Sequence, residues 1–272
     1  MIRIEEGDCI ELLKTIEDNS IDLIIADPPY NVYENSIVKM PYQRRKKNVK
    51  WDQYNNDFLQ FSKKWINLIY PKLKETGSFF IFGGVNYVKG NDLLSLLPIL
   101  RKQFQFVNLI VWYYPNGFGA RRFFSNRFEL IAWFTKGKDY FFNLDAVRIK
   151  FDQKTLNEYL KDKRLKPENV KKGKNPTNVW KIGRINANAK ERLPHPTQKP
   201  EKIIKRIILA TTEEDDLVLD PFLGSGTTAK VCQDLKRNCI GFEIEHRYIE
   251  MAKQRYKGKL SLKNNQDFSL AS

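Results

Sequence analysis

The last quarter of the sequence alternates short apolar runs with amphipathic segments, and this alternation constrains the fold more than any other feature. Residues 216–219 predict a strand, 226–235 a helix, 238–242 a second strand and 246–256 a second helix. Strands that alternate with helices in this way join one parallel sheet through right-handed crossovers. The sequence therefore predicts an α/β protein with a mostly parallel, doubly wound sheet.

Six further segments extend this alternation towards the N-terminus. Runs of β-branched and aromatic residues predict strands, and apolar side chains at helical spacing, such as Phe58, Phe61 and Trp65, predict a helix with one apolar face. Helices on both faces of the sheet are therefore expected. The predicted strands are 21–26, 78–82, 106–113 and 128–134, and the predicted helices are 55–74 and 199–211.

Residues 138–192 interrupt the alternation and predict an inserted lobe. They combine a strand-like run, Tyr140-Phe141-Phe142, with a tract rich in Lys, Asn and Pro and a further short strand near Val179. Residues 31–50 predict a second, flexible insertion. The predicted organisation is a first catalytic part at 1–137, the insertion at 138–192 and a second catalytic part at 193–272.

The net charge of +15 is concentrated in two places. Residues 39–50 carry six basic and no acidic side chains, and residues 136–192 carry sixteen basic against seven acidic ones, so the remaining residues sum to zero. A neutral body with two basic segments predicts a surface for a polyanion such as nucleic acid. Two solvated, lysine-rich loops are the alternative.

Cysteine, histidine and hydropathy patterns exclude several classes of protein. The three cysteines form no CxxC pair, which favours buried, reduced thiols. Two histidines are too few for a histidine-built metal site or a catalytic triad, so we predict no metal. The sequence has no run of eighteen apolar residues, and its charged N-terminus has no signal-peptide core. We therefore predict a cytoplasmic protein without a membrane partner.

The string Asp27-Pro28-Pro29-Tyr30 directly follows the apolar run at 21–26. The amino group of adenine is a weak nucleophile because its lone pair is delocalised into the ring. A carboxylate and a backbone carbonyl that accept both N–H groups return that pair to the nitrogen, and Asp27 with the Pro28 carbonyl can do this. Proline fixes φ and supplies no N–H, and Tyr30 can stack on an extruded base. An ordinary turn with an aromatic plug is the alternative.

A glycine-rich string, Asp220-Pro221-Phe222-Leu223-Gly224-Ser225-Gly226-Thr227-Thr228, follows the predicted strand at 216–219. Closely spaced glycines at a strand-to-helix turn let the backbone approach a ligand. The string lacks the GK[ST] ending of a P-loop and does not match GxGxxG, which favours a ligand without phosphates. Glu243 ends the next strand, where an acid commonly binds ribose hydroxyls. A structural turn followed by a surface glutamate is the alternative.

With these two strings in this order, the chain resembles the β-class amino DNA methyltransferases, which modify N6 of adenine or N4 of cytosine. A third matching string is His195-Pro196-Thr197-Gln198-Lys199-Pro200, and Glu129 belongs to a weaker match. Loop 31–50 and most of 138–192 are unmatched. The resemblance implies a Rossmann-like fold, S-adenosylmethionine (SAM) as the cofactor and target recognition within 138–192.

The resemblance also assigns roles to individual residues. Asp27, Pro28, Pro29 and Tyr30 would be catalytic, through direct attack of the amino group on the sulfonium methyl without a covalent enzyme intermediate. Lys199 would pair with the methionine carboxylate, with a surface lysine at a helix start as the alternative, and His195 would pack rather than act as a base. The implied cofactor-binding residues are Asp8, Cys9, Asp27, Thr197, Lys199, Asp220, Phe222, Gly224, Ser225, Gly226, Thr227 and Glu243.

The expected macromolecular partner is duplex DNA. Basic residues would contact phosphates, and the aromatic cluster Trp112-Tyr113-Tyr114 would face either the base pocket or the core. A cognate restriction endonuclease and a homodimer are left open. The predicted DNA-binding residues are Arg44, Arg45, Lys46, Lys47, Arg121 and Arg122.

Asp rather than Ser at the start of the PPY motif favours N6 of adenine, in a site-specific enzyme of a restriction–modification system or an orphan. N4-cytosine methylation is the nearest alternative. RNA amino methylation is a second one, against which the order of the motifs argues. An inactive DNA-binding scaffold is the third, and the intact motifs argue against it.

Overall fold

A computed structural model gives the structure of the protein. It describes residues 1–30, 58–85, 92–116, 119, 121, 124–186 and 188–258. Within these ranges, no helix combines the length and the apolar character needed to cross a bilayer. Loop 31–50 lies outside the described residues.

The described residues form one eight-stranded sheet, in the order β1-β8-β7-β2-β3-β5-β4-β6 when strands are numbered along the chain. Every strand runs in the same direction except β5, which is antiparallel to both of its neighbours. The mostly parallel sheet is therefore confirmed. The strands are β1 (Ile2–Glu6), β2 (Ile21–Ala26), β3 (Leu73–Gly83), β4 (Gln105–Tyr113), β5 (Phe128–Thr135), β6 (Val179–Lys181), β7 (Leu217–Asp220) and β8 (Asn238–Glu243).

Helices cover both faces of this sheet, because the strands at its centre are apolar on both sides. Along β2, Ile24 and Ala26 belong to one core cluster, and Leu23 and Ile25 belong to the other. The first cluster is covered by α1, α2 and α3, and the second by α7 and α8. The helices are α1 (Cys9–Leu13), α2 (Phe58–Lys72), α3 (Leu93–Leu100), α4 (Leu144–Val147), α5 (Gln153–Lys161), α6 (Pro167–Lys172), α7 (Glu201–Thr211), α8 (Thr227–Asp234) and α9 (His246–Tyr256).

One acid fixes the register between the two central strands. Asp22 lies near the amino end of β2 and accepts a hydrogen bond from Leu217 N at 2.9 Å, at the start of β7. Lys74 Nζ donates to the same carboxylate at 2.7 Å. Because a slip by one residue would reverse the facing of every side chain, this contact helps to set which residues meet at the other end of the two strands.

Apart from the strand-like run at 140–142, the predicted strands and the four predicted helices all form, with ends that differ by a few residues. The predicted helix at 55–74 ends at Lys72, since β3 begins at Leu73. The strand-like reading of Tyr140-Phe141-Phe142 is wrong. Its rings pack on Trp133 instead, with centroids at 5.3 Å for Tyr140 and 5.5 Å for Phe142.

The insertion at 138–192 begins at the edge of the sheet where the parallel strands start, and it ends at the edge where they finish. Phe141 N donates to Thr76 O at 3.3 Å, and Asn143 N donates to Ala210 O near the end of α7 at 2.7 Å. Three helices follow, and β6 then pairs with Val111–Tyr113 in β4. Part of the insertion is therefore a strand of the main sheet, while the boundaries of 1–137, 138–192 and 193–272 stay a prediction.

Candidate active site

The two signature turns lie side by side at the carboxyl edge of the sheet. β2 and β7 are hydrogen-bonded neighbours, with Leu23 opposite Val218 and Ile24 opposite Leu219. Parallel neighbours end at the same edge, so Asp27 after β2 and the glycine turn after β7 face one cleft. An open cleft is lined by residues of both turns, including Asp27, Pro29, Phe222 and Gly224.

The glycine turn is held by a buried aspartate and a tight contact. Asp220 accepts hydrogen bonds from Phe222 N at 3.0 Å and from Thr228 Oγ1 at 2.6 Å. Burial raises the pKa of Asp220 to about 7. Gly226 has φ +77°, and a Cβ on it would lie 2.6 Å from Ala252 Cβ in α9. The turn therefore needs glycine for its left-handed backbone and for its close approach to α9.

Glu243 connects the end of β8 to this turn. Its carboxylate accepts hydrogen bonds from Gly224 N at 2.8 Å and from Ile244 N and Glu245 N at 2.9 Å each. Burial raises the pKa of Glu243 above its ordinary value, although these three donors oppose the rise. The side chain lines the cleft, as expected for an acid that binds ribose hydroxyls.

The segment that contains His195 to Pro200 is fixed by buried polar contacts. Gln198 Oε1 accepts from Leu193 N at 2.8 Å, and its amide donates to Glu191 O. The buried guanidinium of Arg255 donates to Thr227 Oγ1 and to Glu201 Oε1, both at 2.9 Å. Arg255 therefore joins this segment to the glycine turn, and sequence reasoning missed it because its partners are distant in the sequence.

His195 is a wall of the cleft. Its ring packs edge-on against Tyr248, with centroids 4.4 Å apart, and its Nε2 would lie 3.0 Å from a Cβ on Gly224. Burial, with a smaller contribution from Lys199, lowers the pKa of His195 to about 3. The imidazole is thus neutral near pH 7, which agrees with the expectation of a packing role.

Lys199 occupies the inner end of the cleft, between two carboxylates. Its Nζ lies 2.6 Å from Asp27 Oδ2 and 3.5 Å from Glu129 Oε2 in β5. Its side chain is 13% exposed, so the alternative of a surface lysine is wrong. The expected partner was the methionine carboxylate of the cofactor, whereas the structure pairs this lysine with Asp27. Glu129 was predicted only as a weak motif match; its signal is an acid within an otherwise apolar strand.

Tyr30 is buried, and its position resembles the aromatic plug considered above. Its hydroxyl donates to Phe82 O in β3, and its ring lies 5.3 Å from that of Phe58. Pro28 is buried, while Pro29 lines the cleft. The turn is thus anchored by Tyr30 and presents Asp27 and Pro29 to the cleft.

The remaining predicted cofactor residues divide into two groups. Asp8 is the N-cap of α1 and accepts from Ile10 N at 2.7 Å, and it does not line the cleft described here. Gly226 packs on α9 behind the turn. The other group lines the cleft or its inner end; it comprises Cys9, Asp27, Thr197, Lys199, Asp220, Phe222, Gly224, Ser225, Thr227 and Glu243.

The chemistry of this cleft fits SAM. Among the described residues that line its main part, none is Lys or Arg, so it offers no basic side chain for phosphates. Aromatic walls from Phe61, Phe222 and Tyr248 suit an adenine ring, and Glu243 suits a ribose diol. Burial raises the pKa of Cys9 to about 12, so this neighbouring thiol is protonated near pH 7 and is a poor nucleophile.

Of the predicted DNA contacts, Arg121 is the one that the structure describes. It is exposed in the segment between β4 and β5, which begins at the carboxyl edge of the sheet. Trp112 and Tyr114 are buried, whereas Tyr113 is 37% exposed, so the aromatic cluster is mainly core. Arg44, Arg45, Lys46, Lys47 and Arg122 lie outside the described residues.

A doubly wound sheet with these two turns over one cleft is a Rossmann-like fold with a ligand site at the carboxyl edge of the sheet. The family model for N6/N4 methyltransferases, described as DNA methylase, matches residues 21–254. The chain belongs to this family.

Individual relatives agree with this assignment. The chain is 40% identical to type II methyltransferase M.HpaI of Haemophilus parainfluenzae, over 92% of this chain and 72% of that protein. It is 35% identical to DNA adenine methyltransferase YhdJ of Escherichia coli K12, over 92% and 80%. Among solved structures, the M1.HpyAVI–SAM complex matches with a TM-score of 0.60 and 25% identity, over 94% of this chain and 98% of that one.

Proposed function

We propose that this chain methylates N6 of adenine at a specific site in duplex DNA. The observation that carries the proposal is the position of the Asp27 carboxylate, which lies on the same cleft as the glycine turn and Glu243. The carboxylate that would hold the amino group and the proposed cofactor site thus face the same cleft. The cofactor is SAM, which supplies an electrophilic methyl group on a sulfonium.

The residues of the cleft have separate roles in the proposed reaction. Asp27 and the Pro28 carbonyl accept the two N–H groups of the target amine, which returns the lone pair to the nitrogen and makes it nucleophilic. Asp27 also attracts the positive charge that develops on that nitrogen, and such stabilisation is a large part of catalysis. Tyr30 anchors the turn, while Pro29 and Phe222 exclude water from the cleft.

Binding of the ribose by Glu243 predicts a measurable loss of SAM affinity in the Glu243→Gln variant. The amide keeps the shape of the side chain but loses the charge and one acceptor, so we expect the dissociation constant to rise about tenfold, or about 1.4 kcal/mol. Isothermal titration calorimetry measures this. Glu245→Gln, two residues later, is the matched control. Equal affinities of the two variants for SAM would show that Glu243 does not bind the ribose.

The identity of the modified base distinguishes the two reactions of the family. Asp at position 27 and the likeness to an adenine methyltransferase support adenine over cytosine. DNA methylated by the purified protein with SAM is digested to nucleosides and separated by mass spectrometry. We expect N6-methyladenine, and a product that contains N4-methylcytosine alone would contradict the proposal.

Experiments with the same purified protein also test two other functions. An RNA amino methyltransferase would prefer structured RNA to duplex DNA in a competition assay, whereas we expect the reverse. An inactive DNA-binding scaffold would bind DNA without transferring a methyl group. Asp27 lines both the cavity that contains Glu243 and the adjoining cavity that contains Lys199, and this arrangement favours an enzyme.

Surfaces at the carboxyl edge are proposed to contact DNA. Arg184 packs on the Tyr114 ring at 5.0 Å, and Arg121 is exposed in the segment between β4 and β5. The basic insertion at 138–192 would add phosphate contacts and target recognition. A DNA substrate also supports the predicted cytoplasmic location. A cognate restriction endonuclease and a homodimer stay predictions.

A further inference from the structure

Three charged side chains meet at the inner end of the cleft. Asp27 follows β2, Glu129 belongs to β5, and Lys199 directly precedes Pro200, the N-cap of α7. The ammonium of Lys199 lies between both carboxylates, at 2.6 Å from Asp27 Oδ2 and 3.5 Å from Glu129 Oε2. It also lies over the Phe82 ring, at 5.5 Å from the centroid. We call these three residues the lysine–carboxylate cluster.

From this geometry we propose that Lys199 is a positioning residue, which holds the Asp27 carboxylate ionised and in one orientation so that it can grip the target amine. The proposal rests on the function proposed above. The ion pair uses Oδ2 of Asp27, and we assign Oδ1 to the N–H of the base. A carboxylate fixed by a charged hydrogen bond loses little freedom when the substrate arrives.

Without the lysine, the surroundings of Asp27 favour its neutral form. Burial raises its pKa, the ion pair with Lys199 opposes the rise, and the charge of Glu129 adds to it. Asp220 lies on the neighbouring strand, and the two acids repel each other. The hydroxyls of Tyr30 and Tyr114 are protonated, since burial raises their pKa values, and His195 is neutral. Lys199 is thus the main cationic group facing Asp27 from the described residues packed around it.

A neutral Asp27 could not serve the reaction. A carboxylic acid presents one O–H donor where the amine needs an acceptor, and it does not attract the charge that develops on nitrogen. The lysine itself stays charged, because the attraction of Asp27 and Glu129 outweighs the effect of burial and raises its pKa. The cluster therefore favours the ionised form of Asp27, although burial still keeps the pKa of that carboxyl above its ordinary value.

The alternative is that Lys199 binds the methionine carboxylate of SAM. The two roles predict different losses. A positioning lysine controls the protonation of Asp27 and the pH dependence of the rate, whereas a cofactor-binding lysine controls the affinity for SAM. Measurements of both in one variant separate them.

The test compares Lys199→Met and Lys199→Arg with Lys202→Met, a matched control at an exposed position in the first turn of α7. The full-length protein is labelled with ¹³C at the aspartate side-chain carboxyl, and Asp27→Asn assigns the signal. We expect Lys199→Met to raise the titration midpoint of Asp27 by at least about one pH unit. The acid limb of the single-turnover methylation rate should move upward equally.

Lys199→Arg should restore most of both shifts, because the positive charge returns. Affinity for SAM should stay within about threefold in all variants, and thermal melting confirms that each is folded. An unchanged Asp27 titration in Lys199→Met overturns the proposal, and so does a tenfold loss of SAM affinity with an unmoved acid limb. If the unaltered protein methylates no DNA, the proposed function fails, while the carboxyl titration still decides the role of Lys199.

Discussion

Replacement of Asp27 by asparagine should lower the single-turnover rate of methyl transfer on the order of a thousandfold. The amide oxygen can still accept one N–H, but the negative charge that stabilises the developing ammonium is gone. The amide also no longer forms an ion pair with Lys199, which now lies 2.6 Å from it. Affinities for SAM and DNA should stay within about threefold, because neither depends mainly on this carboxylate.

The measurement combines rapid-quench kinetics with SAM calorimetry and DNA titration. Asp18→Asn is the matched control, since it removes an exposed carboxylate that pairs with Lys72 away from the cleft. We expect the control to retain the rate of the unaltered protein. An Asp27→Asn enzyme within tenfold of that rate would mean that the amine is gripped by another group.

Replacement of Gly226 by alanine should weaken SAM binding about a hundredfold, a loss of about 2.8 kcal/mol. The new Cβ would lie 2.6 Å from Ala252 Cβ and 2.7 Å from Ala252 Cα, so either the turn or α9 must move. A displaced turn carries Gly224 N away from Glu243, to which it donates at 2.8 Å. The left-handed backbone adds strain of about 1–2 kcal/mol, and we expect the free energy of unfolding to fall by about 3 kcal/mol.

Gly258→Ala separates the strain from the steric clash. Gly258 also has a left-handed backbone, at φ +69°, but a Cβ there would meet no atom of the described residues within 4 Å. We expect this control to lose about 1 kcal/mol of stability and no affinity for SAM. Chemical denaturation and calorimetry measure both quantities. Similar losses in the two variants would show that the contact with Ala252 does not constrain the turn.

The parts of the site that the sequence predicts are those with a local signal. Proline and glycine end apolar runs at Asp27 and Asp220, so the two turns can be placed at the ends of strands before any contact is known. The short strand β1 escaped prediction because Arg3, Glu5 and Glu6 interrupt its apolar residues. Its pairing with β8 supplies the stability that its own composition lacks.

Contacts between distant segments could not be predicted from local patterns. Lys199 and Asp27 are 172 residues apart, and nothing in the spacing of either motif indicates that they pair. The sequence allows Tyr30 either to stack on an extruded base or to plug the turn, and it gives no sign that the Tyr30 hydroxyl donates to Phe82 O in β3. The tertiary structure thus shows which residues pair, whereas the order of the motifs indicates only which segments lie near one another.

The pairing of β2 with β7 has a consequence for biosynthesis. The ribosome releases β2 early, but β7 follows almost two hundred residues later, which takes on the order of ten to forty seconds at ordinary translation speeds. During that interval one edge of an apolar strand has no neighbour and is exposed to chaperones and to aggregation. The nascent chain also cannot methylate DNA, because the cleft forms only after the last quarter of the chain has been synthesised.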